Sequence, residues 1–403
     1  MASRMRSCVR VVVNLGLPFL FLSSLLYLST RQPVLDIAIR EEAAAGRLRL
    51  FVDRATTAAD VVEANVTSEK EQAPGGIAAV ATEDGDGKVA ADAPPAVGDA
   101  AADAKVDTEK LRAEEGAAAN NATHGDADTV VFDFRPYVLV YKSGRVERFH
   151  GTDTVPPGVD ALTGVASKDV AGAAGVGARL YLPPKSRRGK KKKKLPVLLY
   201  FHGGAFVIES PFSPLYHAFP NILVSKAAVV AVSVNYRLAP EHPLPAAYDD
   251  AWAALHWTVS NCLSGPEPWL ADHGDATRVF LAGDSAGGNI AHNLAVRAGA
   301  ERPLPGVAAT MAIAGMVLLN PYFWGKSPVG SEPGEPWVRD GLEKTWALVC
   351  CGRYGIDEPH VNPLAAPDAL RGMAGERVLV TVAGADGFRD RGAAYAEGLR
   401  RCG

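Results

Sequence analysis

The stretch Arg278–Ala291, reading RVFLAGDSAGGNIA, constrains the chain more than any other. Arg278–Gly283 is a short apolar run that reads as a buried strand, and Ile290, Leu294 and Ala298 then recur at helical spacing. Between them lies Gly283-Asp284-Ser285-Ala286-Gly287, a G-x-S-x-G. A serine hydroxyl is a weak nucleophile, and a sharp strand-to-helix turn lifts its Oγ clear of the sheet. Gly283 and Gly287 leave room for that turn, because a Cβ on either would crowd the backbone. The amide of Ala286, with the helix N-terminus behind it, then faces any oxyanion formed at Ser285. A phosphate-binding turn or a plain tight βα turn uses the same residue types, so the motif alone leaves the chemistry open.

The surrounding pattern alternates strands with helices. Leu195–Phe201, Ala227–Tyr236, Ala309–Leu319 and Arg377–Ala383 are apolar strand candidates. Ala246–Ser260, Gly341–Tyr354 and Arg389–Arg401 carry helical spacing. This order implies an α/β fold, a mostly parallel central sheet with helices on both faces. Thr129–Phe134, Tyr137–Tyr141, Val146–His150 and Ala178–Leu182 are shorter β-like runs, and folded character begins near residue 129. The basic run Lys185–Lys194 sits between two strand-like runs without interleaved aromatics, which predicts a solvated hairpin loop rather than a nucleic-acid patch.

Ahead of that domain the chain changes character. Val11–Thr30 carries no charge and matches a bilayer core in length, and Arg4, Arg6 and Arg10 precede it. It reads as an uncleaved type II membrane anchor behind a short cytoplasmic tail, residues 1–10. A cleaved secretory signal and a spurious gene-model start are the alternatives. Residues 31–128 are rich in Ala, Gly, Asp and Glu and hold a short amphipathic piece, Leu35–Leu50. They bury too little apolar surface to offset ordering entropy, which predicts a largely disordered tether before the domain at 129–403. Sequons at Asn65 and Asn121 would be usable only if that tether is lumenal. A net charge of −3 demands no polyanionic partner, and five scattered cysteines imply neither a metal site nor a disulfide framework. No cofactor is expected.

Directly after Leu195–Phe201 comes His202-Gly203-Gly204-Ala205-Phe206. A glycine pair there lets main-chain amides approach a ligand oxygen closely, and Gly204 and Ala205 become oxyanion donors beside Ala286. His202 then shapes the loop rather than moving protons. Together HGGAF, NYRLAP at Asn235–Pro240 followed by Glu241-His242-Pro243, Ala247-Tyr248-Asp249-Asp250 and GDSAGGNIAH resemble the plant carboxylesterases of the hormone-sensitive-lipase group. The resemblance runs from about residue 130 to the end. It implies an α/β-hydrolase fold and hydrolysis of small carboxylic esters. Ala205 stands where the family has a third glycine, and its amide is retained.

The resemblance also implies a triad acid at the tip of a later strand, and Asp386 matches it; Asp390 is a neighbouring rival. The family's histidine would follow that aspartate. Here the last histidine is His360, and the family's final strand and its histidine loop are not present. His292 points away from Ser285, while His217 and His242 read as structural. The missing strand would leave Arg377–Ala383 an exposed edge. Two explanations stand: a truncated gene model of an active esterase, or a hydrolase-fold protein without catalysis, as in the similar gibberellin receptors. Dehydration of a small phenolic substrate, as in some relatives, is a third reading. Asn320–Tyr354, with Phe323, Trp324 and Trp346, is expected to line the acyl side of the pocket.

Overall fold

The computed structural model describes residues 8–14, 37–42, 47–52, 128–184, 193–301 and 313–402. In chain order the strands are β1 (Cys8–Asn14), β2 (Ile37–Glu42), β3 (Arg47–Val52), β4 (Val130–Phe134), β5 (Val138–Tyr141), β6 (Val146–Arg148), β7 (Ala166–Ala171), β8 (Gly177–Leu182), β9 (Leu195–Phe201), β10 (Val230–Asn235), β11 (Gly274–Asp284), β12 (Ile313–Leu319) and β13 (Arg377–Ala383). The helices are α1 (Pro214–Ala227), α2 (Ala246–Ser264), α3 (Pro268–His273), α4 (Ala286–Ala300), α5 (Pro336–Cys350), α6 (Pro367–Gly372) and α7 (Arg389–Cys402).

Eight strands form the central sheet in the order β1-β13-β12-β11-β9-β10-β8-β7. From β1 to β10 every neighbouring pair is parallel, and β8 and β7 close the far side antiparallel. Parallel strands are covered on both faces, which suits the continuous apolar runs LPVLLYF and VAVSVN of β9 and β10. Successive β9 side chains serve opposite faces. Leu198 and Tyr200 pack with Leu223, Val224 and Ala227 of α1, whereas Val197, Leu199 and Phe201 join a cluster with Leu255 of α2 and Ile290 of α4. Strands β4, β5 and β6 make a separate antiparallel sheet. The α/β architecture expected from the sequence is therefore present, and Leu195–Phe201 and Arg377–Ala383 match their strands residue for residue.

Several expectations are corrected. Val11–Asn14 belong to a strand: Val11 pairs with Val380 and Asn14 with Ala383. β-branched valines favour that extended backbone. The remainder of Val11–Thr30 lies outside the described residues, and among these no helix is long and apolar enough to cross a membrane. Arg377–Ala383 is consequently not an exposed edge, since β1 covers it. Within the expected tether, Ile37–Glu42 and Arg47–Val52 pair antiparallel, while residues 53–127 and both sequons lie outside the described residues. The basic run does not close a hairpin, because β10 lies between β8 and β9; residues 185–192 are not described. Helix α5 starts at Pro336, five residues before the expected Gly341, where proline's fixed φ suits a first helical turn. Helices α1, α3 and α6 and strand β7 went unread.

Within Asn320–Tyr354 the aromatics expected at the pocket pack into the core, whereas Trp337 is exposed. Phe323, Trp324 and Trp346 are all fully buried. The Arg339 and Arg391 guanidinium carbons lie 4.6 and 5.6 Å from the Trp324 ring centre. Arg391 in turn donates to the buried Glu332 carboxylate at 2.6 and 2.7 Å. Phe323 packs on the rings of His292 and Tyr395, and Trp346 Nε1 donates to the Tyr354 carbonyl at 3.0 Å. Replacing Trp324 with alanine should therefore lower stability by about 3–5 kcal/mol in urea unfolding. The same variant should leave the relative rates on short and long acyl esters unchanged.

Candidate active site

Strand β11 delivers Ser285 to the sheet's carboxyl-terminal edge at φ 50° and ψ −115°. Only a few per cent of non-glycine residues take positive φ, and they gather at functional turns. The turn is held by main-chain bonds: the Ser285 amide donates to the Leu319 carbonyl, and the Ser285 carbonyl accepts from Tyr322 and Asn289. Ser285 is half-buried, and its Oγ has no hydrogen-bond partner among the described residues.

The loop after β9 lies against this elbow because β9 and β11 are neighbours, with Phe201 opposite Gly283. The approach is close. A Cβ on Gly287 would overlap the Phe201 carbonyl and sit 2.7 Å from the His202 carbonyl oxygen. One on Gly283 would overlap the backbone of Gly287. Both elbow glycines are thus required by space.

In the loop itself Gly204, Ala205 and Phe206 all take positive φ, 103°, 52° and 65°. This coil leaves the amides of Gly204 and Ala205 without an acceptor among the described residues, and the same is true of Ala286. Gly203 differs: its amide donates to the Tyr216 hydroxyl at 2.9 Å, so it is not available to a substrate oxygen. His202 is fully buried, its Nδ1 lies 2.7 Å from the Gly203 carbonyl oxygen, and its ring stacks on Tyr236 at 4.2 Å. Burial pushes its pKa down to about 4, with the Gly203 hydrogen bond opposing. The ring is packed inside the loop between Tyr216 and Tyr236.

Asp386 lies just beyond β13, and its carboxylate accepts the Phe388 amide at 2.8 Å. No side chain among the described residues donates to it. Burial raises its pKa, and the Phe388 amide partly offsets this. The rival Asp390 is held by Arg389 and by Ser331, at 2.6 and 2.7 Å, which depresses its pKa strongly. Asn320, at φ 42°, ties the strand tips together: its amide donates to the Thr381 carbonyl, and its Oδ1 accepts the Ala383 amide at 2.6 Å. Its tolerance of left-handed backbone was the only sequence signal for that role.

None of the described histidines hydrogen-bonds to Ser285 or Asp386. His292 is buried against Tyr395, 3.0 Å away, and desolvation drives its pKa down to about 3. His360 stacks between Tyr248 and Tyr354. His217 accepts from the buried Arg179, and His242 is exposed. Among the described residues no group of acidic, histidine or cysteine side chains could hold a metal.

A strained serine between strand and helix, with a loop of unbonded amides following the neighbouring strand, is the arrangement of a serine-hydrolase type of α/β site. Residues 198–403 match the family model described as alpha/beta hydrolase fold. Over 282 residues the chain is 47% identical to tuliposide A-converting enzyme 1 of Tulipa gesneriana, covering 68% of this chain and 69% of that one. It is 45% identical over 280 residues to the protein named probable carboxylesterase 4 of Arabidopsis thaliana, covering 68% and 73%. It is 46% identical over 279 residues to 2-hydroxyisoflavanone dehydratase of Glycyrrhiza echinata, covering 66% and 83%. The chain belongs to the α/β-hydrolase fold family, on the branch that holds these plant carboxylesterases.

Two outcomes follow. Gly287→Ala should abolish the elbow, seen as loss of Ser285 reactivity toward a fluorophosphonate. For Asp386 the folded form holds its proton more tightly than the unfolded chain. Stability is therefore lost as pH rises from 3.8 through the raised folded value, and stays lost above it. Asp386→Asn should raise the urea midpoint at pH 7 and give no gain below pH 3.8. A drop at pH 7 would mean that a cation is paired with Asp386.

Proposed function

We propose that the chain is a serine carboxylesterase acting on small carboxylic esters. The observation that carries this reading is the strained Ser285 elbow against a loop whose amides are left unbonded. Ser285 Oγ attacks the ester carbonyl carbon and gives up its proton to a base. The carbonyl oxygen takes the negative charge and accepts from the amides of Gly204, Ala205 and Ala286. Collapse of this adduct expels the alcohol and leaves an acyl-serine, which water then cleaves. Asp386 is the acid that would orient an imidazole, and that imidazole is not among the described residues. The substrate is a small molecule, and no step needs a metal or cofactor.

The relatives' names support this: one is a carboxylesterase and another a tuliposide A-converting enzyme, the latter also named as chloroplastic. A relative named 2-hydroxyisoflavanone dehydratase is the observation that favours the second reading, dehydration of a small phenolic substrate. The lumenal, membrane-anchored placement expected from Val11–Thr30 finds no support, because the described part of that segment is strand.

A fluorophosphonate should label Ser285, and Ser285→Ala should remove the label. Added imidazole should speed labelling, because no described side chain takes the Ser285 proton. Binding of a small organic acid with no labelling under either condition would instead establish a receptor of the gibberellin-receptor kind.

A further inference from the structure

Asp284, the residue before the nucleophile, has no part in the chemistry above, yet it is among the most heavily bonded side chains near it. Its Oδ1 accepts the Tyr200 hydroxyl at 2.8 Å, and its Oδ2 accepts the Tyr216 hydroxyl at 2.7 Å. Tyr216 comes from α1, 13 residues after Gly203 of the loop and 68 before Asp284 of the elbow. Its hydroxyl proton is committed to Asp284, which leaves its oxygen lone pairs facing the Gly203 amide at 2.9 Å. One directional chain thus runs carboxylate, phenol, amide, from the elbow into the loop that bears Gly204 and Ala205. The chain leaves no slack. A Cβ on Gly203 would lie 2.5 Å from Asp284 Oδ2 and 2.7 Å from the Tyr216 hydroxyl oxygen. The His202 ring closes the same corner, 5.4 Å from the Tyr216 ring centre.

We propose that Asp284 is a positioning residue that acts through Tyr216 to fix the Gly203 peptide, and with it the spacing between the oxyanion amides and Ser285 Oγ. Two features make the carboxylate suited to this. It accepts at both oxygens, so both phenols must donate to it and neither can turn its proton toward the loop. It is also covalently next to Ser285, so any movement of the elbow is passed to the loop. Burial raises the pKa of Asp284, and the Tyr216 and Tyr200 hydroxyls, followed by main-chain amides including that of Gly203, oppose that rise. The Tyr200 bond supports the same carboxylate but leads to no loop amide, which provides an internal control.

This inference rests on the hydrolase reading, and the test separates the two. Hydrolysis of p-nitrophenyl butyrate, with imidazole present, is compared for the wild type, Tyr216→Phe, Asp284→Asn, the double variant and Tyr200→Phe, with melting temperatures for each. Tyr216→Phe and Asp284→Asn are expected to lower kcat on the order of tenfold to a hundredfold with KM within twofold, the effect of a misplaced donor. The double variant should be no worse than the poorer single one, because both changes break one chain. Tyr200→Phe should lower the melting temperature comparably and change kcat less than twofold. If Tyr216→Phe and Tyr200→Phe lose equal activity, or if the losses move with melting temperature alone, Asp284 is a packing residue and the proposal fails. If the wild type turns over no ester, the hydrolase reading itself fails and takes this assignment with it.

Discussion

Everything at the site depends on how closely two strand tips approach each other. β9 and β11 are hydrogen-bonded neighbours, so whatever follows Phe201 must share space with whatever follows Asp284. The space is so small that Gly287 cannot carry a Cβ without overlapping the Phe201 carbonyl. Backbone in that proximity cannot satisfy all its donors internally. The turn after β9 therefore coils through three consecutive positive-φ residues and leaves the amides of Gly204 and Ala205 without an acceptor among the described residues. Strain and unspent donors have one origin, the contact between the two tips. The sheet supplies the rigidity that keeps such a conformation populated.

The electrostatics around this contact divide into two kinds of group. His202 and His292 are neutral rings in dry surroundings, pushed down by desolvation and used for shape. Asp386 is only partly buried, and its carboxylate accepts a single amide, that of Phe388. Asp390, only four residues on, has its charge already balanced by Arg389. The contrast between the two explains why strand-tip position rather than acidity alone distinguishes them.

Much of this was legible in the residues. The elbow, the glycine loop and the strands bearing them follow from local rules: apolar runs of strand length, glycine where a Cβ has no room, helical spacing after Ser285. What escaped was set by distant partners. Helix α1 has a proline at its start, another at Pro220 and a weakly patterned sequence, and it is stabilised by packing on β9 rather than by its own periodicity. The aromatics after β12 looked like a pocket wall because an irregular apolar stretch reads the same whether it faces a ligand or the core. Only the guanidinium groups of Arg339 and Arg391, which converge on Trp324 from helices α5 and α7, decide between the two. Val11–Asn14 was read as the start of a membrane helix for a related reason. An unbroken run of valines suits a bilayer helix and a covered strand alike, and its partner is at the opposite end of the sequence.

That pairing has a bearing on biogenesis. During synthesis Cys8–Asn14 leaves the ribosome more than 360 residues ahead of Arg377–Ala383, the strand it joins. Over that interval an apolar, β-prone segment is without its mate, and closing so long a loop is entropically slow. Vectorial folding can complete the middle of the sheet early, but its outermost strand must wait, and in that interval the nascent chain is an apt client for chaperones.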